Sequence, residues 1–105
     1  MVAKLSGSAR RDLMEIRLYT IDRWGRDQWL RYFVGFSAAF ERIAENPDCG
    51  RPRDILRKGL RSLTYEQHLI FFFPIRHARG AIVIVRIAHQ SRNLDALSFY
   101  DYLGT

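Results

Sequence analysis

The spacing of apolar residues changes once along the chain, and this change constrains the fold more than any other feature. From Ala9 to Ile43 the apolar residues recur at steps of three and four, the period of an amphipathic helix. From Leu60 to Ala88 they alternate or form continuous runs rich in β-branched residues, which is typical of strands. The sequence therefore predicts two helices followed by three strands, an α+β arrangement.

The first helical segment follows a short extended stretch, Val2–Leu5, which we expect to be a strand. Ser6 and Ser8 are candidate N-caps, because a serine hydroxyl accepts a hydrogen bond from the first helical turn. Gly25 is the predicted C-terminal stop, since glycine readily adopts the conformation that ends a helix. The face predicted to be buried comprises Ala9, Leu13, Ile16, Thr20 and Trp24.

The second helical segment is predicted to have Asp27 as its N-cap and to end at Asn46 and Pro47. Because only two or three residues link the two segments, we expect an antiparallel helical hairpin. We interpret the apolar face of the second helix as core rather than as a cofactor site. That face comprises Trp29, Tyr32, Phe33, Phe36, Phe40 and Ile43.

Three strands are predicted at residues 60–65, 68–75 and 81–88, and the link 76–80 is short enough for an antiparallel hairpin. These strands are apolar on both faces, so the helical hairpin covers one face and something else covers the other. The second cover is either the C-terminal tail, residues 90–105, or a partner chain. The predicted fold is thus an N-terminal strand and an antiparallel helical hairpin packed on a small antiparallel β-sheet (β-α-α-β-β-β), followed by the tail.

Size and composition exclude several classes of protein. A chain of 105 residues predicts a single domain, residues 1–105. No apolar run reaches the roughly 18 residues needed to span a bilayer, and the N-terminus lacks the apolar segment of a signal peptide. The single cysteine, Cys49, cannot form an internal disulfide, which suits a reducing cytoplasm. We therefore expect a cytoplasmic protein with no membrane association.

The sequence also lacks the motifs of the common cofactor and metal sites. It has no glycine-rich nucleotide loop, no GxSxG elbow and no HExxH motif. One cysteine and three scattered histidines, His68, His77 and His89, do not match the ligand spacing of a zinc site. We therefore expect no cofactor, no metal and no small-molecule substrate.

The formal net charge is +6, and fifteen of the seventeen basic residues are arginine. Such a balance favours an anionic partner, either nucleic acid or an acidic protein, and arginine adds bidentate recognition of carboxylate or phosphate. Five bases fall within eleven residues, and a solvated basic loop is an equally good interpretation of that run. They are Arg51, Arg53, Arg57, Lys58 and Arg61.

The last predicted strand ends in a polar cluster, within the stretch IVRIAHQSRN from Ile84 to Asn93. Arg86 and His89 have the side chains that acid–base catalysis on RNA requires, since such catalysis needs a proton-transfer group and cationic stabilisation. The more common alternative is structural: His89 bonds a backbone carbonyl, and Arg86 pairs with an internal acid, either Asp12 or Glu15. Residue types alone leave both interpretations open.

Five segments together resemble the ParE toxins of the RelE/ParE superfamily, the toxin halves of bacterial type II toxin–antitoxin pairs. They are ARRDLMEIRLYTIDRWG, NPDCGRP, GLRSL, QHLIFFF and IVRIAHQSRN, in the same order and at similar spacings, over about residues 3 to 93. The resemblance implies the same order of strands and helices. It also implies a ParD-like antitoxin partner whose C-terminal segment wraps the toxin.

The resemblance implies a target as well. ParE toxins are generally described as inhibitors of DNA gyrase, so the leading interpretation is a proteinaceous inhibitor with no catalytic residues. The residues that we expect to bind the target are Arg61, Arg86, His89, Gln90 and Arg92. The alternative is a RelE-type ribosome-dependent mRNA endoribonuclease, which is disfavoured because Phe72 replaces a family tyrosine and removes a hydroxyl. A third is a basic binding module that only pairs with its antitoxin.

The antitoxin is expected to be acidic. The predicted sheet carries more apolar surface than two short helices can cover, so we expect an amphipathic helix or strand of the antitoxin to dock into the remaining groove. Arginines at the edges would pair with its carboxylates. The sequence does not assign individual antitoxin-binding residues.

Overall fold

The structure is a computed structural model, which describes residues 2–74 and 81–99. Its order of elements confirms the predicted fold, and the predicted strand bounds are correct to within a residue where they can be compared. The elements are β1 (Val2–Leu5), α1 (Gly7–Trp24), α2 (Arg26–Glu45), β2 (Arg51–Pro52), β3 (Arg61–Tyr65), β4 (His68–Pro74), β5 (Ala81–His89) and a 3-10 turn (Leu94–Ala96). The predicted link at residues 76–80 and the end of the tail from residue 100 lie outside the described residues.

The sheet is mixed, whereas an antiparallel sheet was predicted. Its strand order is β1-β5-β4-β3-β2, and the pairs from β5 to β2 are all antiparallel. The strand β1, however, runs parallel to β5, with Val2 opposite Ala81 and Leu5 opposite Ile84. Parallel neighbours need a long crossover connection, and the helical hairpin with the following strands supplies it. The two-residue strand β2 was not predicted and forms the opposite edge of the sheet.

The helix ends follow the predicted caps in part. The Ser6 hydroxyl accepts a hydrogen bond from the Ala9 N–H at 3.0 Å and donates one to the Val85 carbonyl at 2.9 Å. Gly25, with φ of 89°, is the single residue between the two helices. Asp27 was predicted as the second N-cap, and this was wrong, because Gly25 ends α1 and caps α2 at once. Asn46 ends α2 as predicted.

Two cores lie on opposite faces of the sheet. Between the helices and the sheet, Phe36 and Ile43 pack against Phe72 and Ile84. On the other face, the buried residues include Leu60, Phe71, Phe73, Val83 and Val85, with Leu56 of the connector and Leu94, Leu97 and Phe99 of the tail over them. The first part of the tail is therefore a cover of the second face, one of the two alternatives that the sequence predicted.

Two aromatic residues predicted to be buried are exposed. Trp24 is 62% exposed and Phe33 is 39% exposed. Trp24 is the last residue of α1, and its ring meets Tyr19 of the same helix at 6.0 Å. Phe33 lies beside the buried stripe of α2 and leans on Trp29, with 5.5 Å between ring centroids. Trp29 itself is buried, so the second stripe was right apart from Phe33.

Candidate functional site

A cleft of about 500 Å³ opens at the end of the sheet where β4 begins and β5 ends. Its position follows from the β4–β5 register, which places His68 directly opposite His89. The helix α1 and the start of α2 form the facing wall. The strand ends contribute Ile87 and Ala88, so the lining includes both polar and apolar groups.

The His68–His89 pair forms the polar side of the cleft. The two imidazole rings meet edge to face, with 5.5 Å between their centroids and 83° between their planes. Burial, and then the neighbouring His89, hold the pKa of His68 below its ordinary value of 6.5. His68 is therefore neutral at pH 7.

Tyr32 fixes the orientation of His68. The Tyr32 hydroxyl lies 2.7 Å from Nδ1 of His68. Burial, and then the neighbouring Tyr65 and Glu66, raise the pKa of Tyr32 to about 12, so the hydroxyl keeps its proton. We assign that hydroxyl as the donor, because no other acceptor is recorded for it among the described residues. The ring proton of His68 is then on Nε2.

An aromatic cluster holds Tyr32 in turn. The Tyr65 hydroxyl donates to the Tyr32 carbonyl at 2.9 Å. Phe36 packs against Tyr65 at 4.7 Å and against Tyr32 at 5.0 Å between ring centroids. Gly35 leaves the space for this cluster, since a Cβ at that position would lie 1.9 Å from the Tyr65 hydroxyl oxygen. The half-buried imidazole of His68 thus rests on a rigid support built from α2 and β3.

The turn after β5 is closed by hydrogen bonds and carries three of the five predicted target-binding residues, His89, Gln90 and Arg92. The Gln90 N–H donates to the Gln67 carbonyl at 2.9 Å, and the Arg92 N–H donates to the His89 carbonyl at 3.0 Å. Nδ1 of His89 accepts from the Ser91 N–H at 3.1 Å. The side chains of His89, Gln90 and Arg92 are all exposed, and two of them line the cleft.

Arg86 is placed differently from these three residues. Its guanidinium makes a bidentate pair with Asp12 of α1, at 2.8 Å and 3.0 Å. The buried Asp12 carboxylate also accepts from the Ile87 N–H at 2.9 Å. Of the two acids that the sequence suggested for Arg86, the structure selects Asp12 rather than Glu15. This pair joins α1 to β5 below the surface, so Arg86 is not part of the exposed turn.

Arg61 lies at the far end of β3. It is opposite Phe72, whereas Tyr65 at the near end is opposite His68, so Arg61 is about 13 Å further along the strand. Its guanidinium donates to the carbonyls of Asp48 at 2.7 Å, Cys49 at 3.0 Å and Gly50 at 3.1 Å. Arg61 therefore holds the chain that leaves α2, and the five predicted residues do not form one patch.

Sequence reasoning did not identify His68 and Tyr32 as site residues. Counting back from the predicted link would have placed His68 opposite Ala88. A register shift between Phe71 and Phe72 moves the pairing by one residue and brings His68 to His89. The hydrogen bond from Tyr32 depends on how the helical hairpin lies over the sheet, for which the sequence carries no local signal.

Within residues 2–74 and 81–99, no group of three His, Cys, Asp or Glu side chains lies close enough to hold a metal ion. None of the helices described by the structure combines the length and the apolar character needed to cross a membrane.

Comparisons with known proteins agree with the fold. A family described as "ParE toxin of type II toxin-antitoxin system, parDE" matches residues 3–94. Two relatives are both named Toxin ParE1. The one from Mycobacterium tuberculosis is 38% identical over 91 residues, covering 87% of this chain and 91% of the relative. The one from Caulobacter vibrioides is 36% identical over 93 residues, covering 89% and 93%.

A solved structure described as "Chromosomal ParDE TA system from P. aeruginosa" has the same fold. It aligns with a TM-score of 0.70 over 85% of this chain and 95% of that one, at 24% sequence identity. This likeness supports the architecture described above.

Proposed function

Since the chain belongs to the ParE toxins of type II toxin–antitoxin systems, we propose that it inhibits DNA gyrase by binding it, without chemistry of its own. We further propose that a ParD-like antitoxin neutralises it. The structural neighbour is described as a ParDE system, and this supports such a partner.

The observation that carries the inhibitor proposal is the closed turn after β5. Its backbone hydrogen bonds fix His89, Gln90 and Arg92 in place while leaving their side chains in solvent. A turn of this kind lowers the entropic cost of binding a partner, because the backbone that carries these side chains is already ordered. Arg92 adds a planar guanidinium, which recognises a carboxylate or a phosphate through two hydrogen bonds. Arg86 contributes indirectly, by fixing the strand that ends in this turn.

The antitoxin is proposed to cover the outer face of the helical hairpin. Exposed apolar side chains recur there at helical spacing, Met14 and Leu18 on α1 and Leu30 and Val34 on α2. Among the described residues no other element covers them. Exposed arginines flank this face, and they are Arg10, Arg17 and Arg31. An amphipathic helix with an acidic rim fits such a surface, because its apolar side fills the stripe and its carboxylates pair with the arginines.

A second candidate function is cleavage of messenger RNA. The observation that favours it is the pair of imidazoles at 5.5 Å, since two histidines can act as acid and base. Nδ1 of His68, however, is occupied by Tyr32, and Phe72 is fully buried where the family tyrosine would stand. We therefore rank the nuclease second.

The inhibitor proposal is tested by assaying DNA supercoiling by gyrase and ribosome-dependent messenger cleavage side by side. Arg92→Ala and Gln90→Ala should lose inhibition while their circular dichroism stays that of the parent. Arg42→Ala is a matched control, since Arg42 is an exposed arginine on α2 away from the cleft. It should retain full inhibition.

Two results would overturn the inhibitor proposal. One is full gyrase activity in the presence of an excess of the folded parent chain. The other is messenger cleavage by the parent chain that is lost in His89→Ala, which would promote the nuclease.

The antitoxin proposal has its own test. Leu30→Asp and Val34→Asp place a negative charge on the outer face of the hairpin, and each should weaken binding of a ParD-like antitoxin by tenfold or more. Arg92→Ala should bind the antitoxin as the parent does. Equal affinity of Val34→Asp and the parent would show that the antitoxin docks elsewhere.

A further inference from the structure

The cleft at the end of β4 and β5 contains two residues with donor groups, His68 and Gln67, that gyrase binding by the exposed turn does not use. His68 is half-buried, and Tyr32 occupies only its Nδ1. Its Nε2 has no recorded protein partner within the described part of the chain. The Gln67 side chain and the Arg92 guanidinium line the same space. Three residues with donor groups thus line a cleft of about 500 Å³, a size ordinary for ligand sites.

Part of the cleft lining is apolar and aromatic. Ile16 of α1 and Ile87 of β5 line it, together with the exposed Tyr19 and Trp24. Trp24 leaves most of its ring in solvent, where a large apolar surface carries a free-energy cost. A ligand that fits must therefore present an apolar group to this part of the lining and hydrogen-bond acceptors to the donors.

The charges around the cleft distinguish between two kinds of ligand that carry hydrogen-bond acceptors, a nucleic acid and a carboxylate on an apolar side chain. Arg92 is cationic, while Glu15 and Glu66 also line the cleft. Asp12 lines it as well, but its charge is neutralised by Arg86. Two carboxylates beside the opening repel the repeated phosphates of a nucleic acid. A single carboxylate on an apolar side chain can accept hydrogen bonds from the donors without approaching the carboxylates of Glu15 and Glu66.

We propose that this cleft binds one glutamate or aspartate side chain of an acidic peptide, together with the apolar residue beside it, and that His68 takes up a proton when the peptide binds. The inference goes beyond the proposed function, because it names a ligand for the cleft and holds whether or not gyrase is the target. In the proton step, neutral His68 accepts one proton from solvent at Nδ1, in place of the hydrogen bond from the Tyr32 hydroxyl, and the resulting imidazolium donates through Nε2 to the carboxylate.

The groups that face His68 explain why His68 is the group that takes up the proton when the peptide binds. From α2 and β3 it meets Tyr32 and Tyr65, and burial raises the pKa of both phenols, so neither titrates near neutrality. From the β3–β4 turn and from β5 it meets Glu66 and His89, and α1 adds the carboxylates named above. Burial and His89 hold the pKa of His68 down, and a bound carboxylate opposes both effects.

The protonated state also requires Tyr32 to change its hydrogen bond. A doubly protonated imidazole has no acceptor nitrogen, so the Tyr32 hydroxyl must rotate and accept from Nδ1. A hydroxyl proton can rotate without moving the ring. The aromatic support built by Tyr65 and Phe36 therefore stays in place.

The probe is the peptide acetyl-Gly-Leu-Glu-Leu-Gly-amide, with its glutamine analogue as the matched control. Binding to the full-length chain is followed by NMR of the histidine imidazoles between pH 7.5 and 5.5. The glutamate peptide should bind more tightly as pH falls, by at most about tenfold per pH unit because one proton is taken up. The glutamine peptide should bind at least tenfold more weakly at pH 5.5 and show no pH dependence.

Two variants separate the parts of the site. His68→Asn keeps an acceptor near the Tyr32 hydroxyl but cannot titrate, so it should abolish the pH dependence of binding. Trp24→Ala removes an exposed ring and should lower affinity about tenfold without changing the pH dependence. If His68→Asn does not fold, the imidazole resonances of the parent still report whether His68 is the group that takes up the proton.

Three results would overturn the inference, and none of them depends on the gyrase assay. One is the absence of binding of the glutamate peptide up to 10 mM. The second is equal affinity for the two peptides. The third is tighter binding of a uridine hexanucleotide than of the peptide at the same imidazole resonances, which would assign the cleft to nucleic acid.

Discussion

Two polar pairs that each have one residue on β5 have opposite designs. Arg86 and Asp12 are joined by two hydrogen bonds, and Asp12 also accepts from the backbone of Ile87. Three residues along β5, His89 meets His68 edge to face at one side of an open cleft, and Nε2 of His68 keeps its proton without a recorded partner in the described residues. The first pair shows how a buried charge is made compatible with the fold. The second shows that a polar group must keep an available hydrogen-bond donor if it is to bind a ligand.

The largest expected effect is on the Arg86–Asp12 pair, which we call the closed pair because its two charges bond each other. The His68–His89 pair beside the cleft is the open pair. Asp12→Ala leaves the Arg86 guanidinium partly buried without its carboxylate and removes the acceptor for the Ile87 N–H. Breaking a buried ion pair from one side costs about 3–5 kcal/mol of unfolding free energy. Urea denaturation of the variant and the parent measures the difference.

The double variant Asp12→Ala/Arg86→Met is the control for that effect. It removes both charges, so it should recover a large part of the stability that Asp12→Ala loses, because no uncompensated charge remains. A single variant that unfolds at the parent's midpoint would mean that the pair contributes nothing to the fold.

The next largest expected effect is on the stability of the aromatic cluster of Tyr32, Tyr65 and Phe36, which supports His68. Gly35→Ala would ordinarily stabilise a helix by up to about 1 kcal/mol. Here the new methyl group meets the Tyr65 hydroxyl and ring, which are packed against Tyr32 and Phe36. We expect a net loss of about 1–3 kcal/mol from overpacking, together with a shift in the His68 resonances.

Thermal unfolding and NMR of Gly35→Ala measure these two effects. Ala38→Gly, on the exposed side of the same helix, is the control that measures the difference in helix propensity between alanine and glycine alone. A gain in stability in Gly35→Ala would show that the Tyr65 ring moves aside freely, and that the support of His68 is softer than the packing indicates.

The sequence predicted the closed pair better than the open one, for a physical reason. Local spacing fixes which residues share a helix face or a strand, so the element order and the Ser6 cap followed from it. An acid partner for Arg86, Asp12 or Glu15, was one of two interpretations that the residue types left open. The open pair depends on register, which a single bulge shifts by one residue. The exposure of Trp24 depends on where the sheet ends beneath α1, and helical periodicity contains no information on that point.

A smaller effect is the pH dependence that His68 contributes to stability. Burial, and then His89, lower the pKa of His68 in the folded chain below its ordinary value of 6.5. The unfolded chain therefore binds the proton more readily, and stability falls as pH decreases from about 6.5 through the folded pKa. Above pH 6.5 this contribution is complete and constant.

The measurement is the difference in unfolding free energy between the parent and His68→Asn across pH 5 to 8. The difference should change with pH below 6.5 and stay flat above it, because the variant lacks this titration. A difference that is flat over the whole range would mean that His68 titrates alike in the folded and unfolded chains.

The smallest expected effect is at Arg92, and it is the sharpest test of the comparison. The Arg92 side chain is exposed, and only its backbone N–H is recorded in a hydrogen bond, with the His89 carbonyl. Arg92→Ala should therefore change the unfolding free energy by no more than about 0.5 kcal/mol. The same change should abolish gyrase inhibition under the proposed function, so stability and activity separate at the open end of β5.

Stability and activity should fall together in Asp12→Ala, where activity is lost because the strand that carries the turn loses its anchor. Urea denaturation and a supercoiling assay on both variants give the four values needed. A loss above about 1 kcal/mol in Arg92→Ala would mean that the turn, too, depends on its side chains for its fold, and the distinction between the two pairs would fail.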